Sequence, residues 1–153
     1  MTGPAYSIVV PVYNEEDNVP KLTKEITDVM SLLGKPYELI YVDDGSKDGS
    51  LEALKTVRKG NANIRVLVFE KNCGQSAALE AGIRNSRGEV IITLDADLQN
   101  PPEEIPKLVT KMVEGFDVVG TVRSKRKDSL FRKAASRIVN RTTGLMTGMR
   151  LND

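Results

Sequence analysis

Residues 90–105 read VIITLDADLQNPPEEI. An apolar, β-branched run ends in two carboxylates, Asp95 and Asp97, and Gln99 follows one alternate position later. Carried on as extended chain, the three side chains would point to one side. Two carboxylates and an amide oxygen form a hard-oxygen donor set. Such a set suits Mg2+ or Mn2+, with the remaining positions left to water and substrate phosphates. Pro101 and Pro102 stop the strand, because proline cannot donate to a ladder. Pro102 also fits the first turn of a following helix, and Glu103 and Glu104 suit that helix's N-terminus electrostatically. The plainer reading of Asp95 and Asp97 is a turn with an Asx cap, but such a turn needs only one of them.

Three other polar clusters follow apolar runs: PVYNEE at 11–16, VDDGSKDGS at 42–50 and FEKNCGQSAA at 69–78. Asp43 stands where a strand would end and could accept hydrogen bonds from a base or ribose. Asp48 and Ser50 read as part of a helix cap, with Ser46 or Asp48 as the capping side chain. Gly74 allows close backbone approach at a helix start. Ala77, Ala78, Ala81 and Gly82 let that helix lie close against a sheet. Cys73 is the single cysteine, and the chain has no histidine. Without a histidine to activate it, Cys73 reads as a semi-buried thiol rather than a nucleophile. Arg123, Lys125, Arg126, Lys127, Arg132, Lys133, Arg137 and Arg141 face a single acid, Asp128. Such a run is usually a solvated helix face. Here it borders the apolar stripe of Leu130, Phe131, Ala134, Ala135, Ile138 and Val139, which suits an anionic lipid or a phosphate-bearing substrate.

The elements that must position these groups are short. YSIVVPV, YELIYV, IRVLVF, EVIITL and DVVGTV have strand length and are nearly continuous in apolar residues, as strands buried on both faces are. Helical spacing appears over 15–33, 49–59, 75–86, 103–115 and 129–146, with Gly144 weakening the last. Alternating strands and helices argue an α/β fold with a mostly parallel sheet. In such a sheet, ligands bind outside the carboxyl ends of the strands. The acids gather at the first, second and fourth of these ends, and the cations at the fifth.

At 153 residues the chain is long enough for one domain with a substantial core, taken as residues 1–153. Its net charge of +1 gives no global pull toward nucleic acid. The single cysteine fits a reducing compartment. The N-terminal MTGPAYSIVV has no basic region and does not read as a signal peptide. No run approaches the ~20 apolar residues that span a bilayer. A soluble chain that touches a membrane surface is therefore expected. The closing GMRLND has no cap, so a domain truncated at its C-terminus is expected. GxxxxGK[ST] and GxGxxG are both missing, which argues against a P-loop NTPase and a dinucleotide-dependent dehydrogenase.

SIVVPVYNEEDNV, YVDDGSKDGS, NCGQSAALEAGI and GEVIITLDADLQNPPEEIPKLV together resemble the inverting family 2 glycosyltransferases of GT-A fold, in order and spacing, over essentially the whole chain. DADLQNPPE and the basic stretch from Arg123 are similar to the polyprenyl-phosphate branch, the dolichol-phosphate mannosyltransferases and their bacterial undecaprenyl-phosphate relatives. The resemblance implies a Rossmann-like, mostly parallel sheet with helices on both faces. It implies a nucleotide-sugar donor, with a UDP-sugar expected, and a polyprenyl phosphate acceptor. It also implies work at the inner, cytoplasmic face of a membrane. Pro11, Tyr13 and Glu15 would hold base and ribose, with Asp43 reading the base edge. Asp95 and Asp97 match a DxD pair that Gln99 joins at the metal. Ala96 and Gln75 would join the nucleotide contacts. Arg123 and Arg132 match basic positions that meet donor or acceptor phosphates, and Lys71 and Arg126 are looser matches. A signalling receiver domain is a rival, since LIYVDDGS and VIITLDADL look like its acidic pair and phosphoacceptor strand. Receivers, however, place the pair after the first strand. A sugar-1-phosphate nucleotidyltransferase would show a glycine-rich basic loop where PVYNEEDN is acidic. A binding module without turnover keeps the fold and drops the chemistry.

Overall fold

The structure is a computed structural model and describes residues 3–121. The helix expected over 129–146 and the whole basic segment lie outside the described residues. The chain divides into two compact units, Met1–Thr110 and Lys111–Asp153. The first holds the whole sheet.

Four strands form that sheet: β1 (Tyr6–Val12), β2 (Tyr37–Asp43), β3 (Ile64–Val68) and β4 (Val90–Thr93). Their spatial order is β3-β2-β1-β4, and every pairing is parallel. The α/β expectation holds. β1 and β2 are the central strands, and their nearly continuous apolar runs follow from that place. Ile8, Val9, Val10, Leu39, Ile40, Tyr41 and Val42 are all buried.

The two faces are covered differently. On one, α1 (Asn18–Leu33), α2 (Ser50–Lys59) and Ile105 bury Ile8, Val10, Val12, Leu39 and Tyr41. α1 brings Val19, Leu22, Ile26 and Met30, the stripe its sequence spacing predicts. It ends at Gly34, a left-handed C-cap whose N–H donates to the Met30 carbonyl at 3.2 Å. Tyr41 lies inside this core with its hydroxyl 2.7 Å from that of Thr23, and burial pushes its pKa up to about 12. On the other face α3 (Gln75–Arg84) packs Ala78 against Val9, Ile40 and Val42. A Cβ on Gly82 would sit 2.3 Å from Val9 Cγ1, so only glycine permits this approach of helix to strand.

Three expectations need correction. The 15–33 helix starts at Asn18, because Glu15–Asp17 form a turn whose Glu15 carbonyl accepts the Asn18 N–H at 3.0 Å. The 103–115 helix is a single 3-10 turn, Pro102–Glu104, followed by α4 (Ile105–Val113). DVVGTV forms no strand over its described residues 117–121: no ladder supports it, and Val118 is 86% exposed.

Candidate active site

Strands β1, β2 and β3 step outward in one direction, and β4 returns to the far side of β1. The carboxyl ends of β1 and β4 are thus a topological switch point, where open α/β sheets hold their ligands. A cleft of about 460 Å³ lies there. Pro11, Val12, Tyr13 and Glu15 line it from the end of β1 and the turn after it, Asp44 from just past β2, Asn72, Gly74 and Gln75 from the turn into α3, and Asp95, Ala96 and Asp97 from beyond β4.

The wall from β1 is held by the loop after β2. Asn14 takes a left-handed φ of 57°. Its N–H donates to Ser46 Oγ at 3.0 Å, and its side-chain oxygen accepts the Lys47 N–H at 2.8 Å. The Glu15 N–H donates to the buried Ser50 Oγ at 2.7 Å. The Glu16 N–H reaches Asp48 Oδ2 at 3.2 Å, while Glu16 Oε2 accepts the Gly49 N–H at 2.6 Å. Burial works against it, but donors from Ser50 and Glu16 hold the Asp48 carboxyl below its usual range. Asp48 also takes the Ser50 N–H at 3.0 Å, an Asx turn just ahead of α2, whose N-cap is Gly49 rather than the expected Ser46 or Asp48. Ser46 turns to Asn14 instead. The clasped loop leaves Tyr13 exposed over the cleft and Glu15 accepting Asn18 Nδ2 at 2.6 Å.

The two neighbouring acids where β2 ends part company. Asp43 is buried and accepts the Ser46 N–H at 3.1 Å, and it does not line the cleft. Asp44 does. Its two oxygens accept the Cys73 and Gly74 N–H groups at 2.7 and 2.9 Å, and so fix the turn that opens α3. Sequence reasoning passed over Asp44, and the only signal for it was the doubled acid. Cys73 is exposed, contrary to the semi-buried thiol expected, because Asp44 grips its N–H and leaves its thiol outside.

The far wall also departs from expectation. β4 ends at Thr93, so no strand alternation carries through Asp95, Asp97 and Gln99. The chain turns instead. Asp97 Oδ1 accepts the Gln99 N–H at 3.0 Å, an Asx turn, and Leu98 is left-handed at φ 58°. Asp95 and Asp97 both face the cleft, whereas Gln99 does not line it. Asp95 Oδ1 accepts Gln75 Nε2 at 2.8 Å, and Oδ2 lies 3.5 Å from Asn100 Nδ2. Ala96 is buried between the acids. Pro102 opens the next helix as expected, with Glu103 and Glu104 in its first turn. Arg123, Arg126 and Arg132 lie outside the described residues.

No group of three or more His, Cys, Asp or Glu side chains that could hold a metal occurs among the described residues. The donors that are present fit a hard divalent cation shared with a ligand. Asp95 and Asp97 bring carboxylate oxygens to the cleft, and phosphate oxygens and water would complete the shell.

Residues 7–152 match the family described as glycosyl transferase family 2. The chain belongs to that family. It is 52% identical over 147 residues to the undecaprenyl-phosphate 4-deoxy-4-formamido-L-arabinose transferase of Salmonella paratyphi B, covering 93% of this chain and 45% of that protein. This chain therefore spans less than half of that relative's length. Among solved structures it is similar to the mannosyltransferase PcManGT from Pyrobaculum calidifontis, in complex with GDP-Man and Mn2+. The TM-score is 0.62 at 21% identity, over 78% of this chain and 35% of that one. S. aureus TarS in complex with UDP-GlcNAc is similar at a TM-score of 0.55 and 22% identity, over 80% of this chain and 38% of that one. At these identities the structural likenesses speak to the fold, and that fold is the one the family 2 resemblance implies. A receiver domain and a nucleotidyltransferase are set aside by the family match. No described helix is long and apolar enough to cross a membrane.

Proposed function

We propose that this cleft binds a nucleotide-sugar, a UDP-sugar in the first instance, together with Mg2+ or Mn2+. We propose further that the protein transfers the sugar to a polyprenyl phosphate with inversion, at the cytoplasmic face of the membrane. The observation that carries this is the convergence of Tyr13, Glu15, Asp44, Asp95 and Asp97 on one cleft at the switch point of the sheet. The 52% relative, whose name specifies an undecaprenyl phosphate acceptor, supports the acceptor class.

Base and ribose would lie over Pro11, Tyr13 and Glu15. Asp44, which lines the cleft, would face them directly, and Asp43 would act from behind it through the Ser46 turn. Ala96 would flank the diphosphate, which would point toward Asp95 and Asp97, and Gln75 would act on it only through Asp95. Gln99 would enter the cation's shell only by a change in the Asp97 turn. A bound divalent cation would neutralise the departing diphosphate. The acceptor is a phosphate monoester, whose second pKa is about 6, so it arrives largely ionised near neutrality. Attack on the anomeric carbon from the face opposite the leaving group therefore needs no strong base, and a chain without histidine can serve. Arg123 and Arg132 would offset repulsion between donor and acceptor phosphates.

Calorimetric titration of UDP and of GDP, each with Mn2+ and again with EDTA, tests the proposal. Binding of one nucleotide that Mn2+ tightens and EDTA weakens is expected. A folded chain that binds neither nucleotide would overturn it. Charge reversal at Arg132 should weaken binding to anionic vesicles, and unchanged binding would remove Arg132 from the acceptor site.

A further inference from the structure

We infer that Gln75 is a positioning residue for Asp95, a role distinct from touching the nucleotide. Its amide, delivered by the first residue of α3, orients the carboxylate that the proposed cation needs. The inference rests on the reading of the cleft given above.

The Gln75 amide provides the one short hydrogen bond to the Asp95 side chain among the described residues, at 2.8 Å; the Asn100 contact, at 3.5 Å, is at the limit of a hydrogen bond. Both donors are neutral amides. They restrain the carboxylate without cancelling its charge. The oxygen facing Gln75 keeps a second lone pair, so it can accept the amide and still face a cation.

Gln75 is itself anchored from two directions. Asp44, buried at the end of β2, holds the Cys73 and Gly74 N–H groups immediately before it. The Gly82–Val9 approach presses α3 onto the sheet. The amide therefore reaches Asp95 from a fixed point on a different element. Hydrogen-bond partners of metal-ligating carboxylates typically contribute 10–100-fold to metal affinity. By linkage, anything that moves the head of α3 should change cation affinity, and cation binding should in turn steady the head of α3.

The test is Mn2+ uptake by the chain, read from the free-ion paramagnetic resonance signal with saturating UDP. UDP binding in EDTA is measured separately. Gln75→Leu keeps the bulk and removes the donor. Gln75→Asn keeps the donor and shortens its reach. Both should weaken Mn2+ by roughly 10–100-fold and leave UDP binding in EDTA unchanged. Should the Leu variant fail to fold, the Asn variant decides. Unchanged Mn2+ affinity overturns the inference. So does an equal loss of UDP affinity in EDTA, which would make Gln75 a direct nucleotide contact. A wild-type chain that takes up no Mn2+ with UDP, and none with GDP in its place, overturns the reading of the cleft itself, a result distinct from either of these.

Discussion

β2 carries a buried acid near its start, Glu38, and another just past its end, Asp44, and their surroundings differ in kind. Glu38 accepts Ser7 Oγ at 2.7 Å, Arg65 Nη1 at 2.8 Å, and the Arg87 backbone N–H, Nε and Nη2 at 2.7, 3.1 and 2.9 Å. Burial alone would raise its pKa, but Arg65, Ser7 and Arg87 together bring it down to about 2. Asp44 has only backbone N–H groups for partners among the described residues. One end of the sheet is closed by full charge compensation. The other keeps four acids on a cleft, Glu15, Asp44, Asp95 and Asp97, with no ion pair to any of them among the described residues. The contrast separates stability from binding along a single strand.

If that separation is real, changes at the open end should cost binding and little else. Asp95→Ala is expected to weaken cation-dependent nucleotide binding at least about a hundredfold, or about 2.7 kcal/mol, with an unchanged unfolding midpoint. Calorimetry paired with thermal melts checks both halves, and a large loss of stability would break the comparison.

The closed end should behave in the opposite way. Glu38→Ala is expected to destabilise the fold by about 2–4 kcal/mol, below the range for fully buried pairs because both arginines reach solvent. Nucleotide affinity should not change. The same group sets a pH dependence. Its folded pKa of about 2 lies below the ordinary 4.5. Its contribution, about 3 kcal/mol at most, is therefore present above pH 4.5 and fades as pH falls toward 2. Urea unfolding of wild type and Glu38→Gln across that window should converge at low pH.

Two smaller effects sharpen the boundary. Gly82→Ala adds a Cβ 2.3 Å from Val9 Cγ1. Overpacking of about 1–3 kcal/mol, eased by alanine's helix preference of up to ~1 kcal/mol, should leave a net loss. It should also weaken cation binding through Gln75. Ser50→Ala strands the Glu15 N–H and should cost about 1 kcal/mol, with a severalfold loss of nucleotide affinity as the Tyr13–Glu15 wall loosens. Denaturant midpoints and nucleotide titrations measure both.

The parallel sheet was legible because β1 and β2 are buried on both faces and so carry unbroken apolar runs. That Asp95 and Asp97 would stand at the carboxyl end of the sheet was legible because they close an apolar run. The turn's geometry was not legible, since period-two reasoning assumes that the strand continues, and here Leu98 takes up a left-handed φ instead. Choosing between Asp43 and Asp44 was equally beyond the sequence. Adjacent residues leaving a strand diverge by side-chain direction, and that is settled only when the turn before α3 arrives to occupy Asp44. The Gln75–Asp95 bond joins residues on separate elements, and no periodicity records it.

The register of β4 has a consequence for how the molecule comes into being. Ser7 faces Ile91 and Val9 faces Thr93, partners from near opposite ends of the sheet-forming chain. Pairings so distant in sequence are slow to form. On a ribosome, β1, β2 and β3 can meet well before β4 has emerged. Half of the cleft, the half bearing Tyr13, Glu15 and Asp44, would then exist before Asp95 and Asp97 are made. The acids that complete the cleft arrive with the strand that completes the sheet, so an unfinished chain would lack both carboxylates that the proposed cation needs.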